Sequence, residues 1–187
     1  MMLLQLLLLL GATLSICKGQ EVHFGKCKNF TTQENFDVER YAGGWYDIEK
    51  TYFAGQMDKS CTKAVYTLRP DGKINVINED LTSDQKEENT TGVAFYKDEN
   101  VKSKLTVQLG SSPEANYWIV ETDYETYSLI WSCAELVGLA HADIGWILGR
   151  KQTLDENLKE RLKKKLTDIG LQYQQFYKTS QPDNCPW

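Results

Sequence analysis

The chain has 187 residues, of which 41% are hydrophobic and 25% charged, with a formal net charge of −5. This length suits one domain behind a short leader. An acidic chain without a basic block is a poor match for nucleic acid, and no stretch reaches the roughly 20 apolar residues of a spanning helix.

Residues 1–19 read as a signal peptide. Leu3, Leu4 and Leu6–Leu10 form an apolar run broken only by Gln5, and Cys17 and Gly19 fit the −3 and −1 positions of a cleavage site. Cleavage leaves Gln20 first and places the protein outside the cell. Four cysteines then remain: Cys27, Cys61, Cys133 and Cys185. They lie far apart, without the close pairs of zinc ribbons or thioredoxin-like sites, so they read as disulfides. Spacing leaves all three connectivities open. Asn29-Phe30-Thr31 and Asn89-Thr90-Thr91 are glycosylation acceptors, expected on the surface of a secreted glycoprotein.

A short helical turn is predicted within 34–40. From Gly43 to Arg150 the chain reads as short strands with turns between them. Pro70-Asp71-Gly72 is a hairpin turn. Ala64, Tyr66 and Leu68 face one way and Lys63, Thr67 and Arg69 the other. Ile74 and Val76 alternate with Lys73 and Asn75, and Leu105, Val107 and Leu109 with Lys104, Thr106 and Gln108. Such strands, each with one wet and one dry face, make an antiparallel barrel or sandwich. One helix follows. Thr153 and Glu156 form a capping box, Leu154, Leu158, Leu162 and Leu166 make one apolar stripe, and Gly170 suits the residue after the end. A single narrow stripe predicts a helix docked on the outside of the sheet.

Three separated motifs now align. Gly43-Gly44-Trp45 opens the first long strand, Thr122-Asp123-Tyr124 links two strands, and Arg150 ends the last strand before the helix. In that order, behind an export signal, they resemble the three signature regions of the lipocalin family, with insect bilin-binding lipocalins as near relatives. The resemblance runs over residues 20–187 as one lipocalin domain. It implies an all-β fold, an eight-stranded antiparallel up-and-down β-barrel with one C-terminal α-helix packed on the outside. It also implies the pairs Cys27–Cys133 and Cys61–Cys185. Gly43, Trp45, Thr122, Asp123, Tyr124 and Arg150 are then structural, with Arg150 across Trp45 at a closed barrel end.

A barrel of this size holds one small ligand. With charged residues taken to mark the outer face, Lys63 and Arg69 turn Tyr66 inward, and Lys73 and Glu79 turn Ile74, Val76 and Asn78 inward. Glu121 outward predicts Trp118 and Val120 inward. Trp146 shares parity with Arg150, and Leu105 and Val107 complete an apolar wall. The predicted ligand contacts are therefore Tyr66, Asn78, Leu105, Val107, Trp118, Val120 and Trp146. Asn78 and the Tyr66 hydroxyl would orient a carboxylate, carbonyl or hydroxyl. The strands around Leu129 and Trp131 have no readable face.

No Ser-His-Asp or metal-ligand spacing surrounds His23 or His141, although His141 could reach a ligand at the open mouth. Lipocalin enzymes that use a free lumenal thiol are disfavoured, since the four cysteines are committed to disulfides. The expectation is a secreted, non-enzymatic carrier of a small hydrophobic ligand. No cofactor is expected beyond a non-covalent one such as biliverdin, a retinoid, a steroid or a fatty acid. The alternative is a glycoprotein acting on a cell-surface receptor or another protein.

Overall fold

The computed structural model describes residues 22–136, 138–171 and 175–187. The signal peptide and its cleavage site lie outside the described residues. In chain order come β1 (Val22–Phe24), α1 (Val38–Tyr41), β2 (Gly43–Thr51), β3 (Ser60–Leu68), β4 (Ile74–Leu81), β5 (Glu87–Tyr96), β6 (Lys104–Leu109), β7 (Ala115–Thr122), β8 (Tyr127–Leu136), β9 (Ala140–Gly149), α2 (Glu156–Asp168) and β10 (Phe176–Lys178). Strands β2 to β9 pair antiparallel with their neighbours in sequence, and β9 returns to pair with β2. This closes an eight-stranded barrel and removes the exposed sheet edges that an open sheet would leave.

The turns explain the tight hairpins. Gly72 sits at φ +79° and its N–H donates to the Arg69 carbonyl at 3.0 Å, closing the Pro-Asp-Gly turn between β3 and β4. Helix α1 starts at Asp37, whose carboxylate accepts from the N–H groups of Glu39 and Arg40.

The outer helix differs from expectation at its start. Asp155 is the cap, accepting from the Leu158 N–H at 3.0 Å, so the helix begins two residues after the predicted Thr153 cap. Asp155 is an equally good cap, and choosing it brings Leu158 onto the buried stripe. The helix ends as predicted at Gly170. With φ +78°, Gly170 donates to the Thr167 carbonyl while Leu171 donates to that of Leu166, satisfying two carbonyls at the helix end.

Two apolar clusters lie on opposite sides of the barrel wall. The inner one joins Trp45, Tyr66, Ile74, Val76, Ala94, Leu105, Ile119, Ile130 and Leu148. The outer one packs Leu162, Leu166 and the partly buried Leu154 and Leu158 of the helix region against Leu129, Trp131 and Ile147. The N-terminal arm joins the outer cluster through Phe30 and Cys27, whose disulfide reaches Cys133 on β8.

The second disulfide, Cys61–Cys185, holds the C-terminal tail. Strands β2 and β3 pair only through residues 43–46 and 63–66. Beyond that they part, and the tail enters the seam. β10 pairs with Glu49–Thr51, Ser180 accepts from the Cys61 N–H, and the Gln181 amide donates to the carbonyls of both Asp47 and Thr62.

Candidate ligand-binding site

The closed end is built from the three sequence motifs. The Arg150 guanidinium lies 3.8 Å from the centre of the Trp45 ring. Its nitrogens donate to the carbonyls of Tyr124, Gly44 and Arg40 at 2.9–3.0 Å. Trp45 is fully buried and donates its indole N–H to the Tyr41 carbonyl. Gly43 is at φ +99°, and a Cβ there would lie 3.3 Å from the Arg150 side chain, so both backbone and space favour glycine. In the Thr-Asp-Tyr turn the Thr122 hydroxyl accepts from the Tyr124 N–H, and Asp123 accepts from three successive N–H groups of residues 125–127. Those bonds hold the Asp123 carboxyl below its ordinary range, outweighing an upward push from partial burial.

Above this floor lies a cavity of about 250 Å³. It is lined from Trp45 at the base, through Tyr66, Val76, Asn78, Val107, Tyr117 and Trp146, to Phe53, Gln56, Ser112 and Pro113 at the other end. The Tyr66 and Tyr117 hydroxyls are 2.6 Å apart, and the Trp146 indole donates to Gln56 at 3.0 Å. Burial raises the Tyr66 and Tyr117 phenols well above their ordinary value and pushes Tyr41, below them, up to about 12. These hydroxyls therefore remain neutral at physiological pH and act as uncharged polar handles.

Of the residues predicted to face a ligand, Tyr66, Asn78, Val107 and Trp146 border the cavity. Leu105 faces inward in the inner cluster but does not border the space. Trp118 and Val120 must be corrected, because both belong to the outer cluster. The register between β7 and β8 shifts between Ile119 and Glu121, so Val120 is an extra residue and both it and Glu121 lie outside. Counting alternation back from Glu121 across that bulge inverts the face. Trp118 instead packs at 5.0 Å from Trp131 and 5.5 Å from Phe30, with the Lys104 ammonium 4.1 Å from its ring. His141 also faces away from the lumen. It lies in β9, is 5% exposed, bonds the Gly25 carbonyl and neighbours Asp143.

Sequence reasoning overlooked much of the rest of the wall, including Tyr117, Gln56 and Asp47. Tyr117 is the inward neighbour that correct parity would have identified. Asp47 was hidden by the rule that charges mark the outer face. It pairs across the barrel seam with the inward Leu148, is 3% exposed and binds the Lys50 ammonium at 2.6 Å. Burial raises its carboxyl, and Lys50 offsets part of that rise.

A family model described as a lipocalin-like domain matches residues 36–181. The chain belongs to the lipocalin family. Apolipoprotein D of Cavia porcellus is 37% identical over 186 residues, spanning 99% of this lipocalin and 97% of that protein. The Lazarillo protein of Schistocerca americana is 32% identical over 173 residues, spanning 88% of this chain and 78% of its own. Among solved structures, insecticyanin from the tobacco hornworm Manduca sexta has the same fold, with a TM-score of 0.76 at 22% identity over 89% of this chain and 92% of that one.

Proposed function

We propose that this lipocalin is a secreted carrier that holds one small hydrophobic molecule in its barrel and performs no chemical step. The observation that carries the reading is the cavity inside the barrel, closed below by Trp45 and Arg150 and walled by aromatic and aliphatic side chains with a few polar groups. The near full-length likeness to apolipoprotein D supports the same class of role. Both pairs of described cysteines are disulfides, which leaves no thiolate among them and suits an oxidising compartment. No helix among the described residues is long and apolar enough to cross a membrane. The glycosylation acceptors Asn29 and Asn89 are both exposed. A fatty acid, retinoid, steroid or bilin-type molecule is the ligand class.

Trp45 and Trp146 border the cavity and report on it. Titration with arachidonate, retinol, a steroid and biliverdin is expected to quench tryptophan fluorescence saturably for at least one. No saturable change, together with no small molecule co-purifying in native mass spectrometry, would sink the carrier reading.

One observation favours a second reading, a glycoprotein acting on a receptor. Phe24 is 97% exposed and Leu139 76%, and they sit side by side where the Gly25 N–H bonds the Leu139 carbonyl. Under that reading a Tyr66→Trp variant, which obstructs the lumen, keeps full function in a cell-based assay, whereas a Phe24→Ser variant loses it.

A further inference from the structure

The cavity wall is asymmetric in charge. Among the described residues that line it there is no Lys, Arg or His, and Asp47 is the one acidic side chain. Lys50 gives its ammonium to Asp47 Oδ2 at 2.6 Å and to the Thr179 hydroxyl at 2.8 Å, and it does not border the cavity. The other carboxylate oxygen, Asp47 Oδ1, is buried with no hydrogen-bond partner. Its neighbour Asp80, also 3% exposed, differs. Thr62 donates to one of its oxygens at 2.7 Å and Lys59 to the other at 3.2 Å. One buried acid is therefore fully served by the protein, and the other, on a residue that lines the ligand space, keeps one buried oxygen without a donor.

A buried carboxylate oxygen without a donor is costly, and native structures seldom keep one without a use. We infer that this lumen selects neutral amphiphiles bearing a hydroxyl or N–H donor, which hydrogen-bonds Asp47 Oδ1, over the same skeletons ending in a carboxylate. The inference rests on the carrier reading and narrows its ligand class. A ligand carboxylate entering the cavity finds no countercation on the wall and meets a like charge in a medium of low dielectric. An alcohol or an amide N–H supplies the one donor the wall lacks. A site built around such a bond discriminates strongly against a molecule that cannot make it.

The test uses matched pairs on the intact, disulfide-bonded protein. Retinol is compared with retinoate, and dodecanol with dodecanoate, by isothermal titration calorimetry at neutral pH. The alcohol of each pair is expected to bind at least about tenfold more tightly than its acid, a difference of about 1.4 kcal/mol. In Asp47→Asn, checked for fold by circular dichroism, the preference should shrink below about threefold or reverse, because the carboxylate is gone and the charge of Lys50 is no longer neutralised. Acids binding the native protein as tightly as the alcohols would overturn the inference and leave the carrier reading intact. So would an unchanged preference in the folded variant, the result expected if a fixed water serves Asp47 Oδ1. If the variant fails to fold, the native ratios decide alone. No binding by any of the four overturns the inference, and the carrier reading is then decided by the wider titration and native mass spectrometry.

Discussion

Strand β7 carries two aromatic residues side by side that live in opposite worlds. Trp118 lies outside the barrel wall, against Phe30 and Trp131, where arm, disulfide and helix region close over it. Tyr117 lies inside, bonded through its hydroxyl to Tyr66 and bordering open space. The outer cluster is a core closed over at its centre, where Leu129 and Trp131 are 0% and 1% exposed, with Phe30 and Trp118 partly buried at its margin. The inner one is a wall with a face left for something else. The inner cluster is packed tightly around Tyr41 and Trp45 at its base and leaves space above them, whereas the outer one leaves no such space at its centre.

The contrast can be broken from the outside first. Trp131→Ala removes the centre of the finished core and is expected to cost about 3–5 kcal/mol in urea unfolding, with the affinity of any identified ligand unchanged. Replacing Cys27 and Cys133 by serine frees the arm that covers that core and should cost about 2–4 kcal/mol by the same measurement. Working from the inside reverses the pattern. Tyr117→Ala should weaken ligand binding about tenfold, or about 1.4 kcal/mol, while lowering stability less than Trp131→Ala does, because that ring already borders a void. A folded Tyr117→Ala protein that binds as tightly as the native one would erase the distinction.

The smallest effect is expected from acid. Partial burial alone would raise the Glu49 carboxyl, but hydrogen bonds and charge from Lys159 and Lys163 outweigh it and hold the group below its ordinary value of 4.5. Glu121 is likewise held low, burial being outweighed by Tyr127, Arg161 and Lys165. A carboxyl lowered in the folded state contributes stability that is fully present above its unfolded pKa and is lost as pH falls through its folded one. Both carboxylates tie the helix to the outer wall. Thermal melts should therefore fall progressively below about pH 4.5, and a Glu49→Gln, Glu121→Gln variant should show a flatter acid limb.

The sequence was most readable where strands run without interruption. Ile74 and Val76, or Leu105, Val107 and Leu109, alternate with polar residues, and all five sit on the inner face. The closing motifs were readable because their spacing is distinctive and their chemistry simple, a guanidinium beside an indole. Two physical effects hid the rest. Bulges in β2 and β7 insert a residue and reverse the faces beyond it, and nothing local in Ile119-Val120-Glu121 announces one. Buried charges also defeat a rule that sends every charge to water. Asp47, Lys50 and Asp80 are each 2–3% exposed, Asp47 and Lys50 paired three residues apart across the β2 bulge and Asp80 paired with Lys59.

The tail in the seam between β2 and β3 carries a consequence for oxidative folding. Gln181 spans the gap, Cys185 is bonded 124 residues away to Cys61, and the Trp187 indole donates to the Cys61 carbonyl. The seam between β2 and β3 is therefore filled by residues 119–134 positions further along the chain. The hairpins can pair one after another, but the far half of β2 has no partner on the β3 side until residues 176–181 are in place. Contacts so distant in sequence are slow to form, since the chain between them must first be gathered in. Oxidative folding should accordingly end on a late step at Cys61 and Cys185, and replacing both by serine should slow the last phase of refolding more than the earlier ones.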